Sequence, residues 1–256
     1  MTPSRGGPSA AVVIVGNEVL SGKVRDENGP FLLERLRGAG VEARRLLTVA
    51  DEIDEIVWAL RSLRGEVDWI LTTGGVGPTH DDVTVAGAAA ALGRRVVRPE
   101  ALAERVRRHV GAEVSEGLGR SIPEAALRLA DVPEGAELLF QEGIWLPLIV
   151  VERIALFPGV PALCRLQFEA LAPRLRGSPF TLRSVYVSSS EPEIAAALDA
   201  VADSHPSVAL GSYPRFDSEA DHRVKLTLES RDGTAVDRAL RELLDRLPRG
   251  SVIRQE

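Results

Sequence analysis

The 256-residue sequence predicts an α/β protein: a three-layer, mainly parallel sheet flanked by helices, followed by a small C-terminal α+β unit. Three observations predict this. Short apolar runs alternate with helical-period segments in a β-α-β-α-β-α order, the rhythm of a right-handed parallel sheet. The polar turn Gly16-Asn17-Glu18 follows the run at 10–15 and a glycine loop the run at 67–73, where strand ends deliver their loops. Beyond Gly177-Ser178-Pro179 the order changes to β-α-β-β-α-β, that of a split-βαβ, ferredoxin-like domain.

Residues 1–9 are rich in Pro, Gly and Ser and read as a disordered leader. The run 10–15 is the first strand, ending at Gly16-Asn17-Glu18. Residues 20–28, with Ser21, Gly22, Lys23, Asp26 and Asn28, read as a loop. Asn28 is placed to cap a helix with Pro30 in its first turn and Leu32, Leu33 and Leu36 as its inner stripe. Gly38 and Gly40 stop it. After a second strand at 41–49, Asp51 is placed to cap a helix carrying Ile53, Ile56, Val57, Leu60 and Leu63 at helical spacing. Gly65 closes that helix, and 67–73 is β-branched and apolar enough to be a buried central strand. A helix follows over 83–92, with Asp81 or Asp82 at its start.

Next come 94–97, Pro99 and a charged helix from about 100 to 110, then a loop over 111–119. A short helix at 123–130 precedes the turn Pro133-Glu134-Gly135. Runs 144–151 and 153–157 form a pair of strands, Phe157-Pro158-Gly159-Val160-Pro161 a rigid loop, and 162–175 a helix. The last unit reads as strand 181–188, helix 191–202, strands 208–213 and 222–230, helix 235–247 and strand 251–254. The domain expectation is therefore a leader at 1–9, an α/β domain at 10–176 and an α+β domain at 177–256.

The net charge of −6 gives no support to general polyanion binding, and from Ser178 onward ten Lys/Arg face thirteen Asp/Glu. No nucleic-acid partner is expected. One cysteine, Cys164, excludes a disulfide within the chain and a cysteine-rich metal site; inside an apolar helix it reads as core. The four histidines lack ligand spacing. No apolar run has the length of a membrane span, and residues 1–10 lack a signal-peptide core, so the expectation is a cytoplasmic protein with no membrane partner.

The chemistry centres on Gly74-Gly75-Val76-Gly77-Pro78. Glycines let backbone N–H groups approach a ligand, and a loop between a strand's carboxyl end and a helix N-terminus suits phosphates. Asp81 and Asp82 would repel an anion there unless a cation intervened, and oxygen ligands suit Mg²⁺, Mn²⁺ or Co²⁺. The plainer alternative is that the glycines only turn the chain and an aspartate caps the helix. Glu18 stands at another strand end on the same sheet edge, close to Asp82, with Asp26 and Asn28 approaching from the following loop. Asp51 is a cap or a site residue. Thr72, Thr73 and Thr84 donate to phosphate or satisfy local backbone. His80 contacts phosphate, moves a proton, or is polar surface. Pro158 and Gly159 shape a pocket wall through backbone.

Gly16-Asn17-Glu18, Thr72-Thr73-Gly74-Gly75-Val76-Gly77, Asp82-Val83-Thr84 and Pro158-Gly159-Val160-Pro161 occur in the order of G-[DN]-E, T-T-G-G-x-G, D-x-T and P-G-x-P. Over roughly residues 10–175 the chain thus resembles the molybdopterin-binding-like family, which includes molybdenum-cofactor biosynthesis proteins and the N-terminal part of competence/damage-inducible protein A. Leu210-Gly211-Ser212-Tyr213-Pro214 and Val224-Lys225-Leu226-Thr227-Leu228 extend the resemblance to the N-terminal region of eukaryotic FAD synthase. That resemblance implies hydrolysis of FAD to FMN and AMP, with a divalent cation and potassium; the bacterial relatives imply ADP-ribose as second choice. It puts the D-x-T aspartate on Asp82, read as metal ligand and catalytic aspartate with Glu18; Asp81 is the helix cap or stands beside them, and Arg128 aligns with a basic residue that meets phosphate or is solvated surface. Tyr213 stacks on a flavin or adenine, or is a packed strand end. A homodimer or homotrimer is implied.

Two departures bear on activity. Ala86 stands where the family's D-x-T-x-E-A has glutamate, and Asn17 replaces the commoner aspartate. Both remove negative charge. The expected function is therefore a metal-dependent dinucleotide pyrophosphatase. Its rival is a molybdopterin- or nucleotide-binding protein without turnover, and a third reading, adenylyl transfer onto molybdopterin, is opposed by the C-terminal domain.

Overall fold

The computed structural model describes residues 7–115, 123–216 and 221–256, with side chains at 111–115 excepted. Residues 1–6 of the expected leader lie outside that range. Two compact units divide the chain, Met1–Gly177 and Ser178–Glu256.

The first unit is built on β1 (Ser9–Val15), whose seven residues are all buried. Ala11, Val13 and Val15 serve one core and Ala10, Val12 and Ile14 the other, so a strand with no polar face is the one that needs cover on both sides. The strand includes Ser9, from the expected leader, because Asp68 Oδ2 accepts from Ser9 N at 2.8 Å and Ser9 Oγ at 3.0 Å. On either side of β1 lie β2 (Glu42–Val49) and β3 (Trp69–Thr73), both parallel to it. The helices between them are α1 (Asn17–Leu20), a single turn, α2 (Asn28–Gly38) and α3 (Ile53–Leu63). From β3 the chain enters α4 (Thr84–Leu92), the short strand β4 (Val96–Val97) and α5 (Glu100–Ser115). A 3-10 helix (Glu124–Ala130) leads to β5 (Val132–Pro133), which pairs with β4. Strands β6 (Glu137–Leu139), β7 (Leu148–Val151) and β8 (Ile154–Phe157) complete the sheet in the order β2-β1-β3-β8-β7-β6, and α6 (Pro161–Leu171) closes the unit.

One core packs α3, α4 and α5 on the sheet through Ile56, Leu60, Ala88 and Val106. The other packs α2 and α6 through Leu32, Leu36, Phe168 and Leu171. Each fully buried leucine contributes about 1.5–3 kcal/mol.

The structure corrects three expectations. Residues 111–115 continue α5 instead of opening a loop, while 116–119 lie outside the described residues. The strand expected over 144–151 begins only at Leu148, and an unexpected β6 pairs with it antiparallel at the edge of a sheet that is otherwise parallel apart from the β7–β8 pair. The β7–β8 turn puts Glu152 and Arg153 at φ 46° and 65°, a type I′ geometry without the Gly or Asn that signals it. Arg64 Nη2 and Arg94 Nη2 hold the Glu152 carboxylate at 2.6 and 2.5 Å, long-range contacts that no local pattern announces.

The second unit contains β9 (Thr181–Val187), α7 (Glu191–Ser204), β10 (Ala209–Pro214), β11 (Val224–Ser230), α8 (Gly233–Arg246) and β12 (Val252–Gln255). The sheet order is β10-β11-β9-β12, antiparallel throughout, the split-βαβ arrangement. Ser190 and Glu193 form a capping box that fixes the start of α7, and Asp232 accepts from Ala235 N at 3.1 Å to start α8. Val185, Val187, Leu226 and Leu228 pack against Ile194, Val236 and Leu243 from the two helices. Among the described residues no helix is long and apolar enough to cross a membrane.

Candidate functional site

The chain leaves β1 toward β2 on one side and later returns on the other side as β3. Between β1 and β3 lies the topological switch point, where open parallel sheets place their ligand crevice. The carboxyl ends of β1, β2, β3 and β8 deliver Gly16-Asn17-Glu18, Asp51, the glycine loop and Pro158-Gly159 to this one edge.

The glycine loop is wedged into the crevice. A Cβ on Gly74 would lie 2.0 Å from the Val15 carbonyl oxygen, and its φ of +100° suits no other residue type. Gly74 N donates to Phe157 O at 3.1 Å, so the loop is anchored between the ends of β1 and β8. Thr84 closes it: Oγ1 donates to Gly74 O at 2.8 Å and N to Gly75 O at 2.9 Å. Of the alternatives for Thr84, backbone satisfaction is the observed one. Between these anchors the N–H groups of Gly75, Val76 and Gly77 donate to no acceptor among the described residues. Three consecutive amides without an acceptor, in the glycine loop that leads to α4, are donors that an anion can use, a candidate cradle.

Neither aspartate caps α4. The residue at the cap is Val83, with no side-chain bond, and both carboxylates turn instead to Thr79. Asp82 Oδ2 accepts from Thr79 N at 2.8 Å and lies 2.5 Å from its hydroxyl, and Asp81 Oδ1 lies 2.6 Å from the same hydroxyl. A hydroxyl has one proton to give, so two carboxylates converge on one donor. The Thr79 hydroxyl holds the Asp81 carboxyl below its ordinary range. Asp82 also fills the space a side chain at Gly77 would need, with Oδ2 2.5 Å from that Cβ position. Arg128 Nη1 donates to Thr79 O at 3.2 Å, which sets a guanidinium beside the cradle. Thr79 thus organises the loop, a role hidden because one of its partners, Arg128, lies 49 residues away.

Asp51 does not cap α3, whose cap position is Glu52 with no side-chain bond. Its Oδ2 accepts from Asn17 N at 2.7 Å and ties the β2 end to the β1 loop. Glu18 is exposed in α1, folded back over Gly16. Asn28 is likewise no cap but the first, buried residue of α2; Asp26 accepts from Asn28 N at 2.9 Å in its stead. Asn28 Nδ2 donates to Thr73 Oγ1 at 2.9 Å and to Gly159 O at 2.8 Å. Thr73 Oγ1 passes its own proton to Pro158 O at 2.9 Å. Thr73 therefore bonds within its own surroundings, and the Pro158 and Gly159 carbonyls accept from Thr73 and Asn28. The Thr72 hydroxyl and Asn28 Oδ1 are buried without a protein partner. His80 is 94 % exposed, its Nδ1 3.7 Å from Asp81 Oδ1. Cys164 is fully buried, and burial pushes its thiol up to about 12.

Among the described residues no three His, Cys, Asp or Glu side chains gather to hold a metal. The donor set nevertheless fits a hard cation that completes its shell with water and phosphate oxygens, as Mg²⁺ does on one or two carboxylates. Asp82 Oδ1 accepts no hydrogen bond among the described residues, and the paired negative charges on Thr79 are what a cation would relieve.

Residues 11–177 match the family described as probable molybdopterin binding domain, and 179–256 match the FAD synthase middle domain. A protein of Archaeoglobus fulgidus is 33 % identical over 206 residues, 80 % of this chain and 85 % of its own length. The probable FAD synthase of Caenorhabditis elegans is 30 % identical over 259 residues, 92 % of this chain and 50 % of its own length. The chain thus spans about half of that relative. The crystal structure of CinA from Thermoplasma acidophilum superposes with a TM-score of 0.57 at 28 % identity, covering 66 % of this chain and 98 % of its own. With its switch-point cradle in a domain of this kind and a second unit matched separately, the chain belongs to the molybdopterin-binding-domain family, in the form that carries a FAD synthase middle domain.

Proposed function

We propose that the chain is a cation-dependent dinucleotide pyrophosphatase, with FAD its first substrate and ADP-ribose its second. The observation that carries this reading is the row of free amides at Gly75, Val76 and Gly77 beside the paired carboxylates. A diphosphate has oxygens for all three donors and would be repelled by Asp81 and Asp82 alone. Asp82 and Glu18 would hold a divalent ion such as Mg²⁺, Mn²⁺ or Co²⁺, with potassium as an accessory ion. When bound, such an ion neutralises phosphate charge and lowers the pKa of water. The loop amides fix the diphosphate, the N-terminus of α4 adds partial positive charge, and Arg128 faces the same oxygens. Water adds across the P–O–P bridge, giving FMN and AMP as two phosphate monoesters and releasing protons to solvent. Relatives named FAD synthase support FAD as the dinucleotide.

Ala86 and Asn17 favour a second reading, a protein that holds a nucleotide or molybdopterin without cutting it. Chromatography after incubation with FAD and each metal separates the two. FMN and AMP in equal amounts are expected; intact FAD across the whole metal panel overturns the enzyme reading. The chain is proposed to work as a homodimer or homotrimer, which sedimentation checks.

A further inference from the structure

The second unit covers its sheet with helices on one face only: Val185, Val187, Val224, Leu226 and Leu228 point into that core. On the other face the register sets Tyr213 opposite Lys225, Lys225 opposite Tyr186, and Tyr186 opposite Arg254. Directly paired residues share a face, so one row across all four strands alternates ring and cation. A cavity of about 380 Å³ opens on this row, bounded also by Arg215 and His222. That volume lies within the range of small-molecule sites.

The row has a fixed floor and an open side. Tyr186 is buried, its hydroxyl donating to Glu256 Oε2 at 2.8 Å. The Arg254 guanidinium lies 3.8 Å from its ring centroid, and His222 meets it edge-on at 4.8 Å. His222 is itself buried and held through Nδ1 by Asp221 at 2.5 Å. Tyr213 differs: it is 57 % exposed, and its ring lies along Gly211, where a Cβ would come within 2.9 Å of it. The missing side chain at Gly211 leaves Tyr213 flat on the strand with a face free for stacking.

The cations divide in the same way. Arg254 pairs with Asp221 and Glu256, so its charge is spent. Arg215 and Lys225 make no ion pair among the described residues, although Lys225 lies in the field of Glu256 and its Nζ sits over the Tyr186 ring, 5.5 Å from the centroid. Two available cations beside an open phenol ring suit a planar aromatic group that carries a phosphate of charge near −2. The surplus of acidic residues elsewhere in this unit disfavours a long polyanion, so the ligand is short.

We propose that this face of the second unit binds an aromatic phosphate monoester of mononucleotide size, with its ring against Tyr213 and its phosphate between Arg215 and Lys225. The proposal does not depend on hydrolysis by the first unit. AMP and FMN represent the class with different rings, and inorganic phosphate and adenosine each supply half of it.

The test is titration of the full ¹⁵N-labelled chain with these four compounds in turn, following backbone amides. AMP or FMN should move amides of β10, β11 and β12, whereas inorganic phosphate and adenosine should bind there at least about tenfold more weakly. Tyr213→Ala and Lys225→Ala should each weaken this site about tenfold while leaving any shifts at Gly75–Gly77 unchanged. Retained amide dispersion in both variants shows that the unit is folded. Shifts confined to the glycine loop overturn the proposal, as does equal affinity for inorganic phosphate. So do sheet amides that respond to protein concentration and to no ligand, which would make this face a contact between copies.

Discussion

The side-chain amide of Asn28 joins the end of β3 to the loop after β8, donating to Thr73 Oγ1 at 2.9 Å and to Gly159 O at 2.8 Å. Since Thr73 passes its proton on to Pro158 O, three segments distant in sequence share one buried network. Asn28→Ala leaves Gly159 O without its donor and should cost about 1–3 kcal/mol. The urea midpoint measures it. A loss well below that range would mean that the glycine loop and the Pro158 wall are held by packing alone.

Two glycines of the loop should respond very differently to alanine. At Gly74 the new Cβ meets the Val15 carbonyl oxygen, which is backbone in the central strand and cannot yield, at a φ of +100°. Gly74→Ala should cost more than about 4 kcal/mol or prevent folding. At Gly77 the obstacle is the Asp82 carboxylate, a side chain that can rotate away. Gly77→Ala should stay folded, at a cost of about 1–3 kcal/mol, but lose the Thr79–Asp82 clamp and with it affinity for a diphosphate. Thermal melting and calorimetry with FAD check the pair.

Much of this arrangement was legible in the sequence. An unbroken apolar run such as 10–15 marks a strand covered on both faces, and a glycine loop after the next such strand marks the crevice. What misled was the chemistry of Asp and Asn. Asn28, Asp51 and Asp81 each precede or open a helix, where the local rule assigns a cap. In the structure Asp51 accepts from Asn17, 34 residues away, and Asn28 reaches 131 residues to Gly159. A short polar side chain serves a cap and a long-range link equally well, and only the fold decides. The turn at Glu152-Arg153 was hidden for the same reason, since its anchors Arg64 and Arg94 come from other elements.

Cys164 sets an alkaline limit. Burial pushes its thiol up to about 12, above the ordinary thiol value that an unfolded chain would show. Because the folded state holds this proton more tightly, the contribution is fully present below the unfolded pKa. It is lost as pH rises through the interval between the two values, at about 1.4 kcal/mol per unit. Urea midpoints across that interval should fall less steeply in Cys164→Ala than in the parent, whatever constant offset the substitution adds. In the native protein the thiol should not react with Ellman's reagent near neutral pH, and should do so on unfolding.

Asp82 distinguishes turnover from mere holding. Its Oδ2 secures Thr79 N, which an asparagine oxygen at the same place can also accept, so Asp82→Asn should change stability by less than about 1 kcal/mol. The charge, however, is gone. If Asp82 supports a cation on the diphosphate, FAD cleavage should fall about 10- to 100-fold and the metal requirement should shift to higher concentration. The opposite outcome has its own physical sense. Without a cation, Asp82 only repels the anion that the Gly75–Gly77 amides attract, and its neutralisation should then tighten FAD binding with no metal present. Calorimetry with and without Mn²⁺, run beside the chromatographic assay, decides between them, and tighter metal-free binding would make this site a holder of nucleotides.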